Sequence, residues 1–331
     1  MRRRAFIAMA VAGLVLFGAA GCKDKAAPGA KSAPGQQTRL TIATAGTTGV
    51  FYAYGGAVAG IISKYIPGTT ATAQATGGSV ENFKLIANKQ VDLATTSADV
   101  AYAAFYGYKD SKYFKDKVEA RALFNMYGEP LHLMVRAESP IKGYADLKGK
   151  RVVVGSPGSG TEMKSRVVLQ TMGIDYKDIK PEFLSFGEGA EALKDKTVDA
   201  VLMGVHYPAP AVVELSTHNP IRLIPLTDSE VDKMVKGSTI FVKAVIPGRT
   251  YKGVDKDTQT VSVPCLVVSR ADMPDEVAYN IVKAVFEHKD ELDKMHSSFK
   301  ETSMADSVHT VLPLHPGAIK YYKEKGVYKE R

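Results

Sequence analysis

Short apolar runs of strand length alternate with stretches of helical spacing along almost the whole chain, the pattern of an α/β fold with a largely parallel sheet. The stretch LTIATAGTTGVFY, Leu40 to Tyr52, reads as a strand, a Gly/Thr loop and an aromatic-rich helix start. On that helix Tyr54, Val58, Ile61, Ile62 and Tyr65 recur at helical spacing, and Pro67-Gly68 ends it. After ATAQATGG, Ser79 is a natural cap for a helix carrying Val80, Phe83, Ile86 and Ala87 on one face. The strand VDLATT follows, and Ser97 and Asp99 are placed to cap another helix through Tyr106. Residues 121–136 predict two strands broken at Gly128-Glu129-Pro130.

From Arg151 the order repeats: RVVVG, the loop SPGSG, a helix ending at Gly173, then EFLSF, a short helix from Glu188 to Lys194, and VDAVLMG. Ile42 to Val153 is a step of 111 positions and Val91 to Val198 a step of 107, so two similar units of about a hundred residues are expected. Next come a Pro-started helix near Pro208 to Thr217, the strand IRLIPL, a helix near Asp228 to Lys236, and an extended region with Pro247-Gly248. The run VSVPCLVVS opens a last segment with a helix from Pro274 to about Lys289. That segment is too short for a third domain and should pack back on the first lobe, so the chain crosses between lobes twice. The expected division is 39–131 with 266–331 for one lobe and 132–265 for the other.

The beginning of the chain has a different character. Arg2, Arg3 and Arg4 precede an apolar run from Ala5 to Ala20, then Gly21 and Cys22, which is how an export signal is built. The run of 16 residues is short for a bilayer, which needs about 20. Ala19, Ala20 and Gly21 before Cys22 resemble a bacterial lipoprotein box, so residues 1–21 are expected to be removed and Cys22 lipidated. Residues 22–38, rich in Ala, Pro, Gly, Gln, Lys and Ser, have little to bury and should tether the folded part to the membrane. The expected location is periplasmic.

Composition adds little beyond this. At 45% hydrophobic and 24% charged the chain is an ordinary globular protein, and its two cysteines, Cys22 and Cys265, offer no disulfide framework. Loss of residues 1–21 removes three arginines and no acid, taking the formal net charge from +8 to +5. That balance suits anions; no nucleic-acid partner is expected.

The candidate chemistry lies in two loops that each lead from a strand into a helix. Unpaired N–H groups and the positive end of the helix dipole make such a start an anion site. Thr47, Thr48 and Gly49 offer hydroxyls and N–H groups at the first start, and Phe51 and Tyr52 can cover a ligand's carbon chain; capping and core packing are the plainer roles. Gly78, Ser79 and Asn82 form another such start, and Ser97 stands at a strand end. In the second unit Ser156, Gly158, Ser159, Gly160 and Thr161 form a cradle in which Gly permits close backbone approach and the hydroxyls add donors. The spacing Gly155 to Gly160 is that of a nucleotide P-loop, but Thr161 stands where that motif needs Lys. Glu188 is placed to receive a ligand amino group, and His206 and Tyr207 follow a strand end. HExxH, CxxC and GxSxG are all absent, so neither catalytic residue, metal site nor cofactor is expected, and His315 reads as a loop-fixing residue.

Taken together, TAGTTGVFYAYGGAVA, TGGSVENFKLIANKQVDLATTSADVAY, DLKGKRVVVGSPGSGTEMKSRVVLQTMGI, VDAVLMGVHYPAPAVVEL and PLHPGAIKYYKEKG resemble the TAXI family of solute receptors. Those receptors serve tripartite ATP-independent periplasmic (TRAP) transporters. The resemblance implies a two-lobed, type II-like periplasmic binding protein fold and delivery of a small carboxylate, such as glutamate, glutamine or 2-oxoglutarate, to a sodium-coupled TRAP permease. Where the family's first loop reads close to GTGGTGGTYYP, this chain has Ala45, Thr47, Val50 and Ala53 in place of Gly, Gly, Thr and Pro. Thr96-Ser97-Ala98-Asp99 likewise replaces the family's QSD, so the ligand's polar groups meet a different wall. Two other classes compete with a transport receptor. A ligand-sensing lipoprotein feeding a membrane signalling partner has no signalling segment of its own here, and an exported enzyme shows no nucleophile with a base.

Overall fold

A computed structural model describes residues 37–107 and 112–330. The expected signal (1–21), the lipidated Cys22 and nearly all of the tether lie outside the described residues. The elements run in chain order as β1 (Thr38–Ala43), α1 (Val50–Tyr65), β2 (Thr69–Gln74), α2 (Ser79–Ala87), β3 (Leu93–Ser97), α3 (Ala98–Tyr106) and the long β4 (Ala120–Arg136). Then come β5 (Arg151–Val153), α4 (Gly160–Thr171), β6 (Lys180–Glu182), α5 (Phe186–Lys194), β7 (Ala200–Gly204), α6 (Pro210–His218), β8 (Ile221–Leu223) and α7 (Asp228–Lys236). The chain closes with β9 (Val242–Ile246), β10 (Thr258–Arg270), α8 (Asp275–Glu287), α9 (Lys289–Met295), α10 (Met304–Ser307) and α11 (Pro316–Glu324).

Among the described residues eight of the ten strands follow one path, β2-β1-β3-β10-β4-β7-β5-β6, with β8 beside β4 and β9 beside β10. Its two ends are copies of one plan: β2-β1-β3 and β6-β5-β7 are both parallel triplets in which the first strand in sequence lies in the middle. The element order repeated in the sequence is therefore a repeat of topology. Between the triplets, β4 and β10 run antiparallel from Ala120/Arg270 to Pro130/Ser262. Each then takes partners in the other half: β10 pairs with β3 at one end and β9 at the other, and Leu131 to Met134 of β4 pair with β7. This is the two-lobed α/β architecture with two crossing strands.

Burial follows the pleat. On β7, Val201 and Met203 join the larger core, which extends from the first lobe, while Ala200 and Leu202 join a smaller core with Leu133, Val152 and Leu169. A strand covered by helices on both faces must be apolar on both.

Three expectations need correction. Residues 128–130 do not break β4; they are the place where it changes partner, and Gly128 is there because a Cβ would sit 2.8 Å from Ser262 Oγ on β10. The stretch after Pro67-Gly68 contains β2, which the periodicity missed because this edge strand buries only Ala71. The sheet is mixed and not largely parallel, because β4 and β10 run antiparallel to each other and to β3, β7, β8 and β9 beside them.

Candidate functional site

In each triplet the middle strand feeds a helix whose N-terminus lies beyond the strand's carboxyl end, where open parallel sheets place their ligands. Between the two sets of strand ends lies a cavity of about 170 Å³. The first lobe lines it with Ala45, Gly46, Thr48, Gly49, Val50, Phe51 and Thr76 to Ser79, and the second with Ser156, Ser159, Gly160, Thr161, Ser185, Phe186, Gly204 and Val205. Glu129, on crossing strand β4, completes the wall. An engineered apolar cavity of roughly 150 Å³ holds benzene, so this one suits a molecule of about that size or slightly larger.

The lobes touch around this space. Glu81 N–H donates to Gly158 O at 3.0 Å and Ser156 Oγ to Gly77 O at 3.3 Å. On α4, Glu162 accepts from Tyr113 Oη at 2.7 Å and pairs with Lys112 at 3.3 Å, both beyond α3, and with Arg166 of its own helix at 2.8 Å. Burial pushes the Glu162 carboxyl up, but those donors outweigh it and hold the group below the ordinary glutamate value. At the N-terminus of α4, a Cβ on Gly160 would lie 2.7 Å from Ser97 Oγ and 3.0 Å from Ser79 Oγ. Only glycine fits there with the lobes together.

Three of the helix starts at the cavity are not equally free. Ser159 caps α4 by accepting from Glu162 N–H at 3.0 Å, so part of its acceptor capacity is spent within the helix. By contrast α1 begins at Gly49 with neither a capping side chain nor an acid in its first turn. At α2, Gly78 supplies no cap either, with φ +116° that a side chain would strain. The N–H groups at the start of α1 are thus the least claimed anion donors of the cavity, whereas α2 carries Glu81 in its first turn, with that residue's N–H already spent on Gly158 O.

The expected contacts divide as follows. Thr48, Gly49, Phe51, Gly78, Ser79, Ser156, Ser159, Gly160 and Thr161 line the cavity. Ser97 sits behind Ser79, its N–H donating to Ser79 Oγ at 3.1 Å. Gly158 makes the interlobe bond to Glu81, and the exposed Thr47 and half-buried Tyr52 fall outside the lining. Asn82 is buried beneath it, where its amide donates to Thr44 O at 2.6 Å and Thr95 O at 2.8 Å. Glu188 is exposed and completes a capping box with Ser185 at the start of α5. Tyr207 also stands off the cavity, its hydroxyl donating to Val245 O at 3.3 Å. His315 is buried and caps α11, accepting from Gly317 N–H at 3.1 Å.

Sequence reasoning missed the charged residue of the wall. Glu129 is buried, and its Oε2 lies 2.8 Å from Nζ of Lys164, which is wholly buried behind it on α4. Burial disfavours both charges and pushes the Glu129 carboxyl up, while the neighbouring carboxylates hold the Lys164 ammonium above its ordinary range; at 2.8 Å the two form an ion pair at neutral pH. No spacing of charges in the chain announces it, because the partners are 35 positions apart.

Residues 42–326 match the NMT1-like family. Among solved structures, a protein of Bordetella bronchiseptica RB50 is 16% identical, with 87% of this chain and 89% of that chain aligned at a TM-score of 0.53. A Xanthomonas citri protein solved with ATP bound is 13% identical, over 88% and 97%, at 0.50. The alkanesulfonate-binding protein SsuA of Xanthomonas axonopodis pv. citri, solved with MOPS, is 17% identical over 86% and 83%, at 0.47.

Proposed function

Since the chain belongs to the NMT1-like family, we propose that it is an extracytoplasmic solute receptor that closes its two lobes over one small organic acid. The observation that carries this reading is the cavity between opposed strand ends, faced by the start of α1, which has neither a capping side chain nor an acid in its first turn. Anionic oxygens placed there gain charge-assisted hydrogen bonds without a buried arginine.

The finer reading follows the resemblance of the sequence: a TAXI-type receptor that delivers glutamate, glutamine, 2-oxoglutarate or a similar acid to a TRAP permease, held at the membrane through a lipid on Cys22. In this proposal the lobes divide at 39–131 with 266–331 against 132–265, and the chain performs no chemistry on its ligand. A thermal-unfolding screen of the purified chain against amino acids, organic acids and alkanesulfonates tests it. A ligand at 100 times its Kd adds about 2.7 kcal/mol of stability. If no acid in the screen raises the Tm, the receptor reading fails for this class of solute.

A further inference from the structure

We propose that Glu129 selects what this cavity accepts, requiring a protonated nitrogen at one end of the ligand while the helix starts hold the acid at the other. The inference rests on the receptor reading above and narrows it, from small acids in general to acids that also carry an amine.

Among the described residues that line the cavity, Glu129 alone is charged; the rest are Gly, Ala, Ser, Thr, Val and Phe. A carboxylate has about four acceptor positions. Lys164 occupies one from behind at 2.8 Å, and the buried Cys265 thiol lies against another. Lys164 is itself wholly buried and does not line the cavity, so it fixes the charge and orientation of Glu129 without offering a solute its own ammonium. The remaining acceptor capacity of Glu129 meets a solute that must already satisfy the N–H groups at the start of α1. A second acid group placed against Glu129 would meet a like charge, and a keto oxygen would meet an acceptor. An ammonium satisfies both. The positive charge also restores balance in a space where the solute's carboxylate adds an anion, because Lys164 is shared between Glu129 and the buried Asp99.

The test uses matched pairs that differ only in amine against keto oxygen: L-glutamate with 2-oxoglutarate, L-alanine with pyruvate, L-leucine with 4-methyl-2-oxopentanoate. Each is titrated calorimetrically into the full chain. In any pair that binds, the amino acid should bind at least tenfold more tightly. The double variant Glu129→Gln with Lys164→Met, which removes the pair without stranding either partner's charge, should narrow that preference to within about threefold through loss of amino-acid affinity. A keto acid that binds as well as its amino partner, or a preference unchanged in the double variant, overturns the inference and leaves the receptor standing. Should none of the six acids bind while another acid in the wider screen does, and that acid lacks an amine, the inference again falls alone; if no acid binds at all, the receptor reading falls with it.

Discussion

Gly160→Ala separates closure from folding. The new Cβ would lie 2.7 Å from Ser97 Oγ, 3.0 Å from Ser79 Oγ and 3.3 Å from Ser79 Cβ, well inside van der Waals contact. Both serines are buried and bonded to each other, so neither can yield without losing a hydrogen bond. Overpacking of this kind costs about 1–3 kcal/mol. The clash, however, is between lobes: Gly160 begins α4 of the second, and the serines belong to the first. With the lobes apart it vanishes, and alanine in place of helical glycine contributes a few tenths of a kcal/mol or more. The unliganded variant should therefore unfold in urea at or slightly above the wild-type midpoint. Its affinity for the tightest acid of the screen should fall by roughly 5- to 150-fold, taking 1.4 kcal/mol per tenfold. Gly56→Ala on α1, where a Cβ meets nothing within 4 Å, is the control and should leave affinity alone. A Gly160→Ala chain that loses 1–3 kcal/mol of stability without ligand, yet binds normally, would refute lobe separation.

Other expectations follow from the buried charges. Glu162→Gln removes the charged link to Lys112 and Tyr113 and should weaken binding by about fivefold, roughly 1 kcal/mol. Because the folded carboxyl titrates below its ordinary value of 4.5, that advantage of wild type is complete above pH 4.5 and disappears as pH falls below it; an affinity ratio flat across this range would count against the link. Lys164→Met strands the Glu129 charge and should cost about 3–5 kcal/mol in urea unfolding, most of it recovered by adding Glu129→Gln; independent, additive losses would contradict the pairing. His132 is buried between Pro130 O and Tyr251 Oη, and burial lowers its pKa from 6.5 to about 4. Its neutral form favours the native state, so the stabilisation is complete above pH 6.5 and roughly 3 kcal/mol is lost as pH falls to 4. His132→Gln should show a shallower decline over that interval, and parallel curves would refute the assignment.

Much of the architecture was legible because it is written in periodicity. The expected helix near Asp228 to Lys236 has those limits, and the two Gly/Ser/Thr loops that stood out in sequence both face the cavity. Glu129 was not legible: Gly-Glu-Pro is turn chemistry locally, and only the change of partner along β4, decided by β10 and β7, turns it into a strand whose glutamate faces the ligand space. Glu188 stands outside the lining for the opposite reason. Ser185 and Glu188 spell a capping box three residues apart, and that local signal outweighs the guess that its carboxylate greets a ligand. Asn82 was drawn beneath the site because its amide ties Thr44 and Thr95, at the ends of two parallel strands, and no spacing in the chain marks that role.

The crossing of β4 and β10 also fixes the order in which this protein can finish folding. Leu93 to Ser97 find their partners on one edge at Cys265 to Ser269, on the order of 170 positions downstream, so β3 keeps an unpaired edge until nearly the whole chain has been synthesised. An edge left open for that long exposes unpaired backbone N–H and C=O groups, and only the return of the last strand covers them.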